Sequence, residues 1–213
     1  MTMKSITISI LFFFLILPAS SQQISSGLRA GLNFAQWKQD VKMTSGVTGP
    51  IGVSTTTDTR TGYLIGFYYS FLFSDQFGLQ PELLYNSIGA KVGSSTISLN
   101  YVSIPVFLRY NATEQLHFLA APQLSYLLSG KGETTSPSGT TSTDVKDTIT
   151  SADLSLSGGL GVDLKNFNIG LRYVLGLNNI AKNPSGSASG FDYEYKLRNR
   201  GWQIVAGYRL SGR

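Results

Sequence analysis

The side chains best suited to chemistry are isolated charges set into stretches that alternate apolar and polar residues. Seven of them share the polar side of these stretches with the single histidine, His117: Arg29, Glu82, Arg109, Asp153, Asp163, Arg172 and Arg209. Such groups could form a proton path or a small pore, or they could pair and fill the interior. An isolated buried charge is costly. We therefore favour paired charges that fix strand register and keep the interior shut, with Arg172 beside Asp163 and Glu82 beside Arg109 on neighbouring strands.

A catalytic reading of the same residues has little support. Acyl transfer or hydrolysis needs a nucleophile, a base and an orienting carboxylate within hydrogen-bond reach. Ser125 and Ser157 are inward serines in no recognisable setting, and His117 comes just after a predicted turn. One histidine and no cysteine give no metal-ligand cluster. We predict no enzymatic activity, no cofactor and no metal, and keep an enzyme acting on envelope lipid, dependent on His117, as the alternative.

The composition favours a β-protein with much of its surface out of water. Only 14% of the 213 residues are charged, while Gly (23), Phe (12) and Tyr (11) are abundant. Disorder needs high charge and few aromatic residues, so it is excluded. The basic residues are scattered along the chain and form no run, which argues against a nucleic-acid partner.

The N-terminus has the form of a secretory signal. Lys4 precedes the apolar run Ile6–Leu17, and Pro18, Ala19, Ser20 and Ser21 follow it. We predict a signal peptide at residues 1–21 that is removed, and one domain at residues 22–213.

Period-two alternation predicts eight strands along that domain. They are Gly27–Gln36, Thr61–Phe73, Phe77–Ser87, Ile97–Tyr110, Gln115–Ser129, Ser151–Leu164, Phe167–Asn178 and Arg198–Leu210. Pro81 and Pro105 fall inside two of them and must lie at bulges or ladder breaks, because proline lacks the N–H of a central strand.

The joins between these strands alternate in length. Short turns are predicted at residues 74–76, 111–114 and 165–166, and longer Ser/Thr/Gly-rich loops at Trp37–Arg60, Ile88–Thr96, Gly130–Thr150 and Asn179–Leu197. Outer-membrane barrels have short periplasmic turns, long outer loops and an even strand number. The predicted fold is therefore all-β: an eight-stranded antiparallel up-and-down transmembrane β-barrel.

The alternation also predicts which face meets the membrane. In the stretch that starts at Phe167, Phe167, Ile169 and Leu171 share one face, while Asn168 and Arg172 share the other. The apolar faces are large and aromatic near their ends, and the polar faces carry too few charges for an aqueous surface. Small polar residues suit the narrow interior of an eight-stranded barrel. We predict apolar side chains outside and polar side chains inside.

Several segments resemble those of the PorT-like family of outer-membrane β-barrel proteins. They are Leu79-Gln80-Pro81-Glu82-Leu83-Leu84-Tyr85, Leu99-Asn100-Tyr101-Val102-Ser103-Ile104-Pro105-Val106 and Ala121-Pro122-Gln123-Leu124-Ser125-Tyr126-Leu127-Leu128, with Gly170-Leu171-Arg172-Tyr173 and Gly207-Tyr208-Arg209 near the end. The resemblance implies an eight-stranded barrel in the outer membrane of a Gram-negative bacterium. The named member takes part in protein export by a dedicated secretion system, while most relatives have no assigned role.

The predicted function is a non-enzymatic structural or interaction role in the cell envelope, extending to the support of a protein secretion complex. The expected partners are outer-membrane lipid and proteins that meet the extracellular loops or the periplasmic face. The alternatives are the lipid-modifying enzyme and a small pore.

Overall fold

The computed structural model describes residues 23–45, 49–137, 139–188 and 191–212, and almost all of them are extended. The predicted signal peptide, residues 1–21, lies outside the described residues and stays a prediction. Within the described ranges, no helix is long and apolar enough to cross a membrane.

Eight long strands form the body of the molecule and three short strands extend it at one end. The long strands are β1 (Gln23–Ser45), β3 (Asp58–Leu72), β4 (Phe77–Val92), β5 (Ser95–Asn111), β6 (Leu116–Ser136), β8 (Ala152–Leu164), β9 (Phe167–Gly176) and β11 (Phe191–Ser211). The short strands are β2 (Gly49–Thr56), β7 (Gly139–Asp144) and β10 (Ser185–Ala188), and a 3-10 turn covers Lys146–Thr148.

The long strands pair antiparallel in chain order, and β1 pairs with both β3 and β11. This second pairing closes the sheet into a ring. The predicted eight-stranded up-and-down barrel is therefore confirmed.

The two ends of the barrel differ. At the turn end, three short connections join β3 to β4, β5 to β6 and β8 to β9. They cover residues 73–76, 112–115 and 165–166, and each agrees with the prediction to within a residue. Lys165 adopts a positive φ of 52°, the left-handed conformation of a two-residue hairpin turn. At the opposite end, which we call the extension end, the short strands lengthen the wall.

The structure corrects the predicted long loops, because most of their residues are in strands. β1 continues to Ser45 rather than ending at Gln36, and β4 and β5 meet in a turn at Gly93 and Ser94. A strand of 23 residues is far longer than the ~9–11 residues needed to cross a membrane. The Ser/Thr-rich segments have the composition of loops, yet most of their residues pair with a neighbouring strand.

The predicted orientation of the faces is confirmed. On β6, Leu124 and Tyr126 are 57% and 58% exposed, while their neighbours Gln123 and Ser125 are buried in the interior. The outward apolar band on this strand runs from Phe118 to Leu128, about 33 Å along the strand and ~25 Å in height for a tilt near 40°.

Both prolines lie at gaps in the ladder, as expected. The β4–β5 pairing is interrupted between Pro81–Val106 and Leu84–Ser103, and the β5–β6 pairing between Pro105–Gln123 and Leu108–Ala120. The missing N–H groups therefore leave no broken hydrogen bond in a continuous ladder.

Candidate functional site

The side chains in the interior of the barrel form layers. Most of the predicted charges lie in the two layers nearest the turn end, and Asp153 and Arg209 lie outside these two layers. Arg29, Glu82 and Arg172 are almost completely buried in the deeper of the two layers. Arg109 and Asp163 are partly buried nearer the turn end. Asp153 is buried toward the extension end, and Arg209 is half-buried at the rim of the turn end.

Glu82 is the centre of the first charged layer. Its Oε1 accepts hydrogen bonds from Arg29 Nη2 at 2.8 Å and from Gln80 Nε2 at 2.7 Å. Arg172 donates two more, both at 2.8 Å, to the two carboxylate oxygens. This forked pairing with two arginines satisfies a carboxylate that is fully buried.

Aromatic rings support the two arginines from the other side. The Arg172 guanidinium carbon lies 4.3 Å from the centroid of the Phe107 ring, and that of Arg29 lies 4.5 Å from the Tyr68 ring. Arg29 also donates to Asn168 Oδ1. Stacking of this kind stabilises a desolvated cation and holds the guanidinium plane in place.

A second charged layer closes the turn end. Arg109 pairs with Asp163 and also donates to Gln80 Oε1 at 3.2 Å. His117 Nδ1 lies 3.2 Å from Asp163 Oδ2 but is not aligned for a hydrogen bond. Arg109 and Asp163 line an open vestibule of about 720 Å³, which Arg209 also lines.

The partners of the charges differ from those predicted from strand adjacency. Glu82 pairs with Arg29 and Arg172 rather than Arg109, and Asp163 pairs with Arg109 rather than Arg172. Long side chains in a narrow lumen reach across it, so sequence neighbours on adjacent strands are not the closest partners.

Above the charges lies a layer of amides and hydroxyls around a cavity of about 30 Å³. Gln203 donates to Asn33 Oδ1 at 2.8 Å, and Asn199 donates to Asp153 Oδ2 at the same distance. In the part of the chain that the structure describes, Asp153 has no cationic partner. The prediction that all the lumen charges pair is thus not met at Asp153, nor at Arg209, which forms no ion pair with the described residues.

An apolar cluster, which we call the cap, closes the extension end. Its buried members are Trp37, Ala90, Leu99, Tyr101, Leu127, Ile149, Ile180 and Leu197. Ile149 and Ile180 come from the two connections that fold over the mouth, which are held together by a hydrogen bond from Thr150 N to Ile180 O at 2.7 Å. Trp37 Nε1 donates to Asn199 Oδ1 at 2.8 Å and so joins the cap to the amide layer.

The serines considered for catalysis are far from the histidine. Ser125 lies eight residues from His117 on the same strand, about 26 Å away. Ser157 is paired with Ala121, four residues from His117, which is about 13 Å. Among the described residues, no three His, Cys, Asp or Glu side chains come together as metal ligands.

Beyond the cap lies a four-stranded sheet, which we call the extension sheet. Its strands, in order, are β10, residues 191–198 of β11, residues 38–45 of β1, and the whole of β2. Its face on the lumen side is apolar. Val41 lies opposite Val53, and Met43 lies opposite both Ile51 and Tyr193. Met43, Ile51, Val53 and Tyr193 are 52, 59, 57 and 41% exposed.

The outward face of the extension sheet is charged. Lys38, Asp40 and Lys42 alternate on β1 with the apolar residues of the other face, opposite Arg198, Lys196 and Glu194 of β11. Ser54 hydrogen-bonds Asp40, and with the charges of Lys38 and Arg198 it lowers the pKa of that carboxyl, which keeps it ionised. This sheet and the cap are the features that sequence reasoning missed. The signal was present as Val41, Met43, Ile51 and Val53 at alternate positions inside a predicted loop.

The sequence was compared with known proteins. The model of a family described as "outer membrane protein beta-barrel domain" matches residues 20–182. None of the curated proteins matches the chain.

Solved structures of similar shape are outer-membrane proteins at low identity. Ail of Yersinia pestis is 14% identical, with a TM-score of 0.45 over 88% of this chain and 99% of Ail. Neisserial surface protein A is 10% identical, with a TM-score of 0.43 over 85% and 96%. OprG of Pseudomonas aeruginosa is 14% identical, with a TM-score of 0.38 over 89% and 95%. Assignment to a family therefore rests on the sequence match and not on these likenesses.

Proposed function

Because the chain belongs to the outer membrane protein beta-barrel domain family and lies in the outer membrane, we propose that it is a closed, non-enzymatic barrel that presents the extension sheet to another protein of the cell envelope. The turn end faces the periplasm and the extension sheet stands outside the cell. The signal peptide at residues 1–21 is part of this proposal.

The observation that carries the proposal is the apolar face of the extension sheet. Met43, Ile51, Val53 and Tyr193 form one patch on paired strands, and all of them are exposed to water. Contiguous exposed apolar patches on soluble surfaces mark sites of interaction. The outer edge of β2 adds to this, because the part of β2 after Pro50, Ile-Gly-Val-Ser-Thr-Thr, has neither a proline nor a charged side chain to discourage strand pairing.

The filled lumen argues against a pore. The cap residues Leu99, Tyr101 and Ile180 have no exposed surface, and the paired arginines lie between the cap and the vestibule. An eight-stranded barrel has room only for its own side chains. In planar bilayers we expect no discrete conductance from the purified protein.

The lipid-modifying alternative depends on His117. The Ser125 and Ser157 hydroxyls are out of its reach, and its nearest carboxylate, Asp163, is already paired with Arg109. We expect membranes with His117→Ala to have the same lipid profile as the wild type, and a changed profile would favour the enzyme.

The finer part of the proposal is membership of the PorT-like group and support of a protein secretion complex. The resemblance of residues 79–85, 99–106 and 121–128 to that group supports it. The complex would be met through the extension sheet or through the periplasmic vestibule.

The test is photo-crosslinking in native outer membranes. A photoreactive side chain at Ile51 is expected to capture a specific protein, and the same group at Thr141, exposed on β7, is the control. The variants Ile51→Lys and Val53→Lys should fold normally and lose the partner. Capture only from Asp75, in a periplasmic turn, would move the interaction to the vestibule. Capture from neither side would overturn the proposal.

A further inference from the structure

Four cations lie together on the outward face of β1 and β11, just above the lipid-facing band. We call this set the basic cluster: Lys38, Lys196, Arg198 and Arg200. Lys38 lies directly opposite Arg198 in the ladder. Like charges directly opposite one another destabilise a strand pair, so this arrangement calls for an anion.

The protein supplies only part of that negative charge. Asp40 lies between the two cations, 3.8 Å from Lys38 Nζ and 3.9 Å from Arg198 Nη1, which is too far for a hydrogen bond to either. Glu194 pairs with Lys196 at 3.0 Å. Four cations thus face two carboxylates, and two positive charges are left in excess.

Arg200 completes the cluster without a carboxylate of its own. Its partner in the described part of the chain is the neutral hydroxyl of Thr56, and its Nε has no hydrogen bond. The Lys38 and Arg198 side chains are 40% and 35% exposed. The cluster is therefore open on the side that faces the membrane surface.

The base of the cluster lies at the height of the lipid headgroups. Trp202, which is 51% exposed and packs on Tyr173 with ring centroids 4.9 Å apart, marks the outer aromatic girdle. Arg200 and Arg198 are two and four positions beyond it, about 5 and ~10 Å higher on a strand tilted near 40°. The headgroup layer of one leaflet is about 5–8 Å thick. Arg200 therefore lies within it, and Lys38 and Arg198 lie just beyond it, from where their long side chains reach back to the headgroups.

The wall formed by β5 and β6 differs at the corresponding height. There Asn100 lies opposite Ser129 and donates to its hydroxyl at 3.0 Å. Ser98 lies opposite Lys131 and Thr96 opposite Glu133, so the charges balance. A general attraction of the whole barrel to anions would not concentrate cations on one wall.

From charge, depth and the lipid-facing position, we propose that the basic cluster binds the phosphate of an outer-leaflet lipid headgroup. Arginine forks match phosphate oxygens two at a time, and lysine adds a point charge. A bound phosphate relieves the repulsion between Lys38 and Arg198, and it lies beside the apolar wall where the acyl chains of the same lipid pack. This site rests on the orientation proposed above, with the extension end outside the cell, and not on the protein partner of the extension sheet.

The experiment measures lipid retention by the full barrel. The protein is placed in phosphatidylcholine nanodiscs that contain either diphosphorylated lipid A or the same lipid with its phosphates removed, and bound lipids are counted by native mass spectrometry. We expect at least tenfold more retention of the phosphorylated form. The double variant Lys38→Gln/Arg198→Gln should lose that preference, and Lys131→Gln, a cation on the opposite wall, should keep it.

A second variant has an effect of the opposite sign. Asp40→Asn removes the competing carboxylate and should raise retention of phosphorylated lipid A above that of the wild type. Equal retention of the two lipids by folded wild type, or an unchanged preference in the double variant, would overturn the proposal. So would displacement of the lipid by millimolar inorganic phosphate, which would make the site one for free phosphate.

Discussion

The ladder between β1 and β11 has opposite patterns on the two sides of the Phe34–Trp202 pair. On the side of the turn end, Leu32 and Ile204 face outward and are about half exposed, while Arg29 and Asn33 face the lumen and are buried. On the side of the extension end the outward residues are charged, and the lumen side becomes apolar at Trp37 and Leu197.

The surroundings of each face, and not the strand itself, decide which face is apolar. The same two strands are paired antiparallel across twenty residue pairs, and the register shifts only between Ser26 and Gly27. In lipid the outward side must be apolar, and the most deeply buried lumen charges, Arg29, Glu82 and Arg172, pair with one another. In water the outward side can be charged, and the inward side packs against its neighbours as an ordinary core does.

The largest effect is expected where the lumen is charged. Glu82→Gln leaves the buried Arg29 and Arg172 without their carboxylate, which should lower the free energy of unfolding by about 3–5 kcal/mol. Urea unfolding in lipid vesicles, followed by tryptophan fluorescence, measures the change. Glu114→Gln, exposed in a periplasmic turn, is the control and should be within about 0.5 kcal/mol of wild type. Equal effects would show that the lumen charges are not stabilising.

A matched pair of substitutions tests the change of pattern directly. Leu124 and Val53 are both 57% exposed, but Leu124 lies in the apolar band of β6 and Val53 on the extension sheet. Leu124→Lys should cost about 2–4 kcal/mol, because a lysine there faces lipid.

Val53→Lys should change stability by less than about 0.5 kcal/mol, since its surroundings are water. The same urea titration compares the two variants. Similar costs would mean that the extension sheet is covered or that the band is not in lipid.

A smaller loss of stability than that of Leu124→Lys is expected where the cap meets the amide layer. Trp37→Phe removes the donor to Asn199 Oδ1 and should cost about 1 kcal/mol. Tyr101→Phe is its control in the same cap, because the Tyr101 hydroxyl has no partner at hydrogen-bond geometry. That variant should be neutral or slightly stabilising. A larger loss in Tyr101→Phe than in Trp37→Phe would contradict this description of the cap.

The barrel could be predicted from the sequence because a strand that crosses lipid alternates apolar outward residues with polar inward residues. The alternation of apolar and polar residues from Phe167 to Arg172 is typical of a strand with one face in lipid. The residue types of the short turns are equally typical of turns between such strands. The positions of Pro81 and Pro105 at ladder gaps followed from the missing N–H alone. These features depend on near neighbours in sequence.

The rest depends on residues that meet across the barrel. Nothing local to Glu82 indicates that Arg29 and Arg172 share it, because the three lie on β4, β1 and β9. The extension sheet could not be predicted for another reason. Its alternation continues that of β1, but outside the membrane the apolar residues face inward and the charged residues face outward. The Ser, Thr and Gly residues around them also have the composition of a loop.

The pairing of β1 with β11 also sets the order of events during folding. Each of the other barrel strands pairs with the one before it in the chain, whereas Trp37 and Asn199, which meet across this seam, are 162 positions apart. Such a contact carries the largest loop-closure entropy and forms slowly. The cap, the basic cluster and the extension sheet all include residues of both strands, so none of them is complete until the C-terminal strand has arrived and the ring has closed.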